Sequence, residues 1–268
     1  MSAPRFLTEP DPARGVALPV APGISRIVAR NPGPMTYRGT NTYLIAGTDG
    51  FAVLDPGPDD AAHLSDILAA TCGRVSRVLL SHGHSDHIGA LPALVAATGA
   101  AVFAASGRFG AAVADGDTAG AWTAVATPGH APDHLCFARD GTMFSADHVM
   151  SFSSSVVIPP DGDMAAYIAG LRLLLTRDDK VLLPGHGPPI TEPRPFIAAL
   201  LEHRLRREES IATIIRAAPH TARAIVTALY VPLDPRLVRA AEASVTAHLW
   251  KLRAEGRAAE SEGMWHAT

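Results

Sequence analysis

Three imidazoles and one carboxylate fall within six positions of one another in Ser81-His82-Gly83-His84-Ser85-Asp86-His87. Together they offer borderline nitrogen and hard oxygen donors, a set that suits zinc and similar divalent ions. In a chain of this composition His-x-His-x-Asp-His arises by chance on the order of one time in a thousand, so a solvated His-rich turn is a weak competitor. One loop cannot close two metal sites alone. Three later positions, each at a Gly-marked loop or the end of an apolar run, can supply further donors: His130 in Thr127-Pro128-Gly129-His130, Asp147 in Phe144-Ser145-Ala146-Asp147, and His186 in Leu183-Pro184-Gly185-His186-Gly187. Taken singly, each of the three could equally be an ordinary turn or capping residue.

These groups need elements that carry them to one place. Residues 75–80 are apolar and β-branched and run straight into the His-rich loop, which puts its polar groups at the carboxyl end of a strand. Residues 24–29, 40–46 and 51–54 read as further strands, as do 101–104, 122–126 and 181–183, and residues 135–146 as a hairpin turning at Arg139-Asp140-Gly141. Helical periodicity marks residues 59–70, 88–98 and 164–175. Blocks of strands on both sides of single helices predict two packed sheets with helices outside, an α+β sandwich rather than a doubly wound parallel sheet. The Gly-x-Gly-x-x-Gly spacing of a dinucleotide site is missing. From Pro195 the pattern becomes helical: a long helix over 196–217, a short one capped by Thr221, a third opened by Asp234-Pro235 and running to about 255, then a small β-turn-β. The division expected is an extended segment over 1–22, the sandwich over 23–194 and a small helical domain over 195–268.

Composition bounds the function classes. The chain has 268 residues, 47% hydrophobic and 18% charged, with a net charge of −3; this fits a soluble folded protein and argues against a strongly basic nucleic-acid binder. Cys72 and Cys136 form no C-x-x-C pair and read as small buried hydrophobes. No apolar run reaches the ~18 residues of a membrane span. The first 22 residues also lack the basic-then-apolar layout of a signal peptide, so the simplest reading is cytoplasmic with no membrane partner.

Taken in order, His82-x-His84-x-Asp86-His87, His130, Asp147 and His186 resemble the successive motifs of the metallo-β-lactamase superfamily, over roughly residues 20–190. The resemblance implies an αββα sandwich and two zinc ions, other divalent metals being alternatives. It places His82, His84 and His130 on one ion, Asp86, His87 and His186 on the other, and Asp147 between them. Two cations about 3.5–4 Å apart ionise a shared water near neutral pH and polarise the scissile group; Asp86 would then orient that water and act in catalysis. The flavodiiron branch carries Glu where this chain has His84, which favours hydrolytic zinc chemistry. The main β-lactamase class has a Cys where Asp147 and His186 resemble the glyoxalase II and ribonuclease branches, so antibiotic hydrolysis falls to a side activity.

Each ligating imidazole needs its other nitrogen oriented. Asp55, in Val53-Leu54-Asp55-Pro56-Gly57, and His134 are candidates for that support. Asn31-Pro32-Gly33-Pro34-Met35-Thr36 with Gly39-Thr40-Asn41-Thr42-Tyr43, and a tail holding His203-Arg204, Arg207-Glu208 and His248-Leu249, resemble the beta-lactamase-like-protein-two group, whose mitochondrial members are endoribonucleases. That implies a winged-helix-type tail and makes Asn41, Tyr37 and Arg38 candidates for the substrate mouth. Arg236, Arg239, Lys251 and Arg253 lie on the third tail helix, but Glu242 and Glu255 interrupt them, so modest phosphate binding, packing and homodimerisation all stay open. The expected activity is hydrolysis of an ester-like bond, either a phosphodiester of single-stranded RNA or a small thioester or lactone. A nucleic-acid-binding protein with a structural metal site is the reading from another class.

Overall fold

Short β-branched and aromatic runs punctuated by Gly and Pro divide the first part of the chain into strands. A computed structural model describes residues 4–230 and 232–268. β1 (Leu18–Ala21), β2 (Ile24–Val28), β3 (Asn41–Gly47), β4 (Gly50–Leu54), β5 (Val75–Leu79), β6 (Ala101–Ala104) and β7 (Ala111–Ala112) form one sheet in that spatial order. The first four strands pair antiparallel and the last four parallel. Parallel pairing needs a crossover, supplied by α1 (Ala61–Thr71) between β4 and β5, and by α2 (Ser85–Ile88) with α3 (Leu91–Thr98) between β5 and β6. The second sheet holds β8 (Thr118–Ala119), β9 (Trp122–Ala126), β10 (Leu135–Arg139), β11 (Thr142–Ala146) and β12 (Val181–Pro184); α4 (Met164–Leu175) carries the chain from β11 to the parallel β12.

Three apolar layers fix the stacking. Tyr43, Leu54 and Leu79 of the first sheet meet Trp122, Phe137, Phe144 and Leu183 of the second. Ile27, Val53 and Val78 point the other way, onto Ile67, Leu91 and Leu94 of α1 and α3. On the far side, Cys136, Met143 and Leu182 face Met164, Ile168 and Leu171 of α4. Burying a side chain of this size contributes about 1.5–3 kcal/mol, and alternation along each strand divides that gain between two faces. The αββα sandwich follows.

The tail begins with α5 (Pro193–Ala217), continues through α6 (Ala222–Leu229) and α7 (Val238–Ala254), and ends in a hairpin of β13 (Ala258–Ser261) and β14 (Met264–Ala267). Thr221 accepts from the Ala224 N–H at 3.1 Å and caps α6. Ile211, Ile225, Val245, Leu249 and Trp265 make this unit's own core. No described helix is long and apolar enough to cross a membrane.

Several local expectations change. The single helix over 88–98 is two helices: the Ala90 N–H donates to the Gly57 carbonyl at 3.0 Å instead of to the preceding turn, and Pro92 starts α3 afresh. The extended N-terminal segment contributes β1, which pairs with β2. The helix opened by Asp234 begins as a 3-10 turn, Pro235–Leu237. Cys136 is buried, as its apolar neighbours require, but Cys72 is exposed: it ends α1 in a left-handed conformation with φ 52° that turns it away from the core.

Candidate metal centre

Every predicted ligand sits just past the end of a strand, in the loop or the one-turn helix that follows it. Leu79 ends β5, and the next eight residues bring His82 and His84 out of the strand and Asp86 and His87 onto the one-turn helix α2. His130 follows β9. Asp147 directly follows β11, behind Ala146, which is held at φ 40°. His186 follows β12. Strand ends from both sheets thus converge on one edge of the sandwich.

Two donor sets result. His84 Nδ1 stands 2.9 Å from His82 Nε2 and 3.0 Å from His130 Nε2. Beside them, Asp86 Oδ2 lies 3.3 Å from His186 Nε2 and 3.5 Å from His87 Nε2. Asp147 reaches both: one oxygen is 3.5 Å from His87 Nε2, the other 3.5 Å from His130 Nε2 and 3.4 Å from His186 Nε2. Three triads, His82–His84–His130, His82–His87–Asp147 and Asp86–His87–His186, each place their donor atoms within 4.8 Å of one another.

The electrostatics call for a cation here. His87 Nε2 and Asp147 Oδ1 are buried and have no hydrogen-bond partner, a costly state unless an ion takes both lone pairs. Burial opposes charge on Asp147, yet His186 and His87 hold its carboxyl well below the usual range. Burial also works against protonated His87, but Asp147, Asp86 and Asp55 around it prevail and raise its pKa well above the ordinary value. For His186, Asp147 and Asp86 likewise outweigh burial and lift it to about 9. A divalent ion supplies the same positive charge without protons. His82, by contrast, is driven well below its ordinary value by burial and the neighbouring His87, and His130 is lowered chiefly by burial; both are kept as neutral ligands.

The outer nitrogens are held as ligation needs. His87 Nδ1 donates to Asp55 Oδ2 at 2.9 Å, and the same carboxylate accepts from the Ser81 N–H and hydroxyl at 2.8 and 2.6 Å. Ser81 Oγ is in turn 2.9 Å from His82 Nδ1. His130 Nδ1 lies 2.7 Å from the Val156 carbonyl. Thr40 donates to Asp86 Oδ2 at 3.2 Å and receives from Asn31 Nδ2 at 2.9 Å.

The remaining candidates divide. Asp55 is fully buried beneath the His loop. His134 faces the site only indirectly: its Nε2 accepts from the Asp147 N–H at 3.2 Å and its Nδ1 is 2.8 Å from Thr127 Oγ1. Asn41 does not line the mouth. It is buried and donates to the carbonyls of Pro184 and Gly187 at 2.8 and 2.9 Å, bracing the turn that carries His186. Tyr37 stacks on Phe152 at 5.1 Å and its hydroxyl accepts from the Glu9 N–H, while Arg38 pairs with Asp11 at 2.7 Å. The nearby residues that do line the mouth are Pro34, Met35 and Thr36.

A cavity of about 330 Å³ opens on His84, Asp86, His130, Asp147 and His186. Its far wall comes from the tail: Arg204 of α5, Tyr230 and Leu233 after α6, and Ala240, Ala241 and Ser244 of α7. Sequence reading took the tail for a separate unit and missed this wall. The His203-Arg204 pair was the one visible signal.

A layered sandwich with this donor cluster at its strand ends defines a metallo-β-lactamase-fold hydrolase. The family model of the metallo-beta-lactamase superfamily matches residues 35–111, and that of the beta-lactamase associated winged helix domain matches residues 221–265. The chain is 30% identical over 263 residues to a beta-lactamase-like protein 2 homolog of Drosophila melanogaster, covering 87% of this chain and 89% of that one. It is 34% identical over 217 residues to the thioesterase pkgB of Emericella nidulans, covering 74% of this chain and 63% of that one. A beta-lactamase domain protein from Burkholderia ambifaria shares the fold, with a TM-score of 0.83 at 23% identity over 96% of this chain and 95% of that one. The chain belongs to the metallo-beta-lactamase superfamily, with the winged-helix tail of its beta-lactamase-associated members.

Proposed function

We propose that the chain hydrolyses a thioester or related carboxyl ester with a largely apolar acyl group, at a centre of two divalent ions for which zinc suits the donors. The cavity carries this reading. Met35, Met150, Val156, Ile158, Tyr230 and Leu233 line it beside the ligand cluster. A strand of RNA needs a cationic groove with stacking platforms; histidines aside, Arg204 is the one cationic side chain among the lining residues. The third tail helix and the turn before it offer few free basic groups in its place: Lys251 pairs with Glu208 and Glu255 at 2.7 and 2.6 Å and Arg236 with Asp234 at 2.7 Å, which leaves Arg239 exposed among intervening acidic residues. Similarity to a thioesterase points the same way.

His82, His84 and His130 would hold one ion and Asp86, His87 and His186 the other, with Asp147 shared. Such ions supply Lewis acidity and make water acidic enough to ionise near neutral pH. The chain's own part is to aim and to move a proton. Asp86 keeps 29% of its side chain exposed, against 8% for Asp147 and none for Asp55, so it is the carboxylate at the cavity floor able to orient water and pass a proton on. Thr40 fixes its rotamer from behind. In the overall step the oxygen of water joins the acyl carbon, the C–S or C–O bond breaks, and the thiol or alcohol leaves with the proton.

The test is a panel on one metal-reconstituted preparation: an apolar acyl thioester, a lactone, a chromogenic phosphodiester and single-stranded RNA. The thioester or lactone is expected to turn over fastest, and Asp86→Ala to lose at least about 100-fold while keeping its thermal midpoint. Cleavage of RNA with thioester and lactone untouched would overturn the substrate reading. Full activity in Asp86→Ala would overturn the assigned role.

A further inference from the structure

Arg204 sits on α5 with only 3% of its surface exposed, yet it lines the cavity that holds the ligand cluster. Its guanidinium donates through Nη2 to the carbonyl of Ser155 and lies 5.2 Å from the centre of the Tyr167 ring. Its Nε is buried with no hydrogen-bond partner. Among the described residues no carboxylate pairs with it. A buried cation that has only a carbonyl and a ring to face is poorly compensated, and the planar fork of an arginine is shaped for a carboxylate. Ser154 and Ser244 line the same cavity and offer further hydroxyl donors. The adjacent His203 adds no second charge, because burial and the neighbouring Arg204 push it down to about 4.

The segment that Arg204 grips is also tied to the metal centre. Ser155 donates its hydroxyl to the Asp147 carbonyl, and the next residue, Val156, has its carbonyl 2.7 Å from His130 Nδ1. Arg204 therefore stands behind the strip of chain that flanks both ligands, on the tail side of the cavity. An acyl group whose scissile carbonyl lies at the ligand cluster extends across Met150, Val156 and Leu233 toward that wall.

We propose that Arg204 is an anion-recognising residue that receives a second carboxylate on the acyl group, so that the substrates are thioesters or esters of acids with an apolar middle and an anionic far end. The inference rests on the hydrolase reading above for the placement of the scissile bond. A purely structural Arg204, stapling α5 to the Ser155 strip, is the competing account.

Binding of products separates the two without any turnover. The zinc-loaded full-length chain is titrated by calorimetry with glutarate, adipate and pimelate, each against the monocarboxylate of the same chain length. At least one diacid is expected to bind roughly tenfold or more tighter than its partner, the effect of one buried charge-assisted contact. Arg204→Met should bring that pair to parity, and Arg204→Lys, which keeps the charge without the fork, should retain part of the difference. Parity for all three pairs in the unmodified chain would overturn the proposal and leave the hydrolase reading intact. A diacid preference that survives in folded Arg204→Met would overturn it too, assigning the residue to stability alone. If Arg204→Met does not fold, an unchanged preference in Arg204→Lys has the same force. A failed thioester panel does not alter these binding results, so the two readings fail separately.

Discussion

Asp55 touches no metal-facing atom, yet it aligns an imidazole in each donor set. It accepts directly from His87 Nδ1, and through Ser81 it reaches His82. The Ser81 hydroxyl has one proton; donating it to Asp55 leaves Oγ to accept from His82 Nδ1–H, which turns the His82 Nε2 lone pair toward the site. Asp55→Asn replaces one acceptor oxygen by a donor and cannot serve both Ser81 and His87. Metal affinity is expected to fall roughly 10–100-fold, read by competition with a chromogenic chelator, in a chain that still folds without metal at a midpoint lowered in line with the ~1–3 kcal/mol cost of one unsatisfied buried group. Unchanged affinity would rule out this alignment. At this scale the sequence was most informative about atoms that must be of one type. The seven candidate ligands are His and Asp because little else offers those lone pairs, and the geometry brings all seven together. It was least informative where a backbone group does the holding. Nothing in the residue type told that His134 accepts from the Asp147 N–H, or that Val156 orients His130 by its carbonyl. Tyr37 and Asn41 were misplaced for the same reason: their partners are the main chain of Glu9, Pro184 and Gly187, not a substrate.

The elements explain why seven side chains from four loops can meet within hydrogen-bond distances. Each ligand loop leaves a paired strand, and each approach is close. Gly185 shows how close: its N–H donates to the Ala146 carbonyl at 2.9 Å, and a Cβ there would run into Asp147 Oδ1 and lie 2.8 Å from His87 Cε1. Gly185→Ala must displace both the shared Asp147 and His87. Overpacking of this kind commonly costs about 1–3 kcal/mol, tolerable for a fold of this size, so the expected product is a folded chain that has lost tight binding of two ions. Metal analysis after dialysis should find fewer than two equivalents. Two retained at unaltered affinity would show that the loop yields instead. Many elements were legible: the strands over 101–104 and 122–126 and the helix over 164–175 stand where predicted, without shift, since alternation and helical spacing are local. The break between α2 and α3 was not, because it depends on the Ala90 N–H meeting the Gly57 carbonyl, a contact between segments some thirty residues apart.

On the scale of the molecule, the tail is a wall of the site as well as a neighbour of the sandwich. Ala247 of α7 packs into the layer formed by α4 and α5, which turns the adjacent face of α7 toward the cavity and puts Ala240, Ala241 and Ser244 on its lining. Of the residues that a winged-helix reader would use on a nucleic acid, Lys251 is engaged in ion pairs and Arg253 lies about 5.5 Å from the Trp265 ring. Small residues on α7 therefore leave room for the proposed acyl chain, and filling that room should change length selectivity without touching chemistry. Ala240 is partly exposed, so a larger side chain can be accommodated there without disturbing the core. Ala240→Phe is expected to raise KM for long-chain acyl thioesters by roughly tenfold, the effect of losing one or two buried methylenes of contact. KM and kcat for an acetyl thioester should remain as they are, since His84, Asp86 and the other ligands stand on the sandwich. Measured across a chain-length series, a uniform loss at every length would mean that α7 supports the ligand cluster instead of shaping the substrate's far end. No change at any length would mean that the acyl group leaves the cavity by the Met35 side.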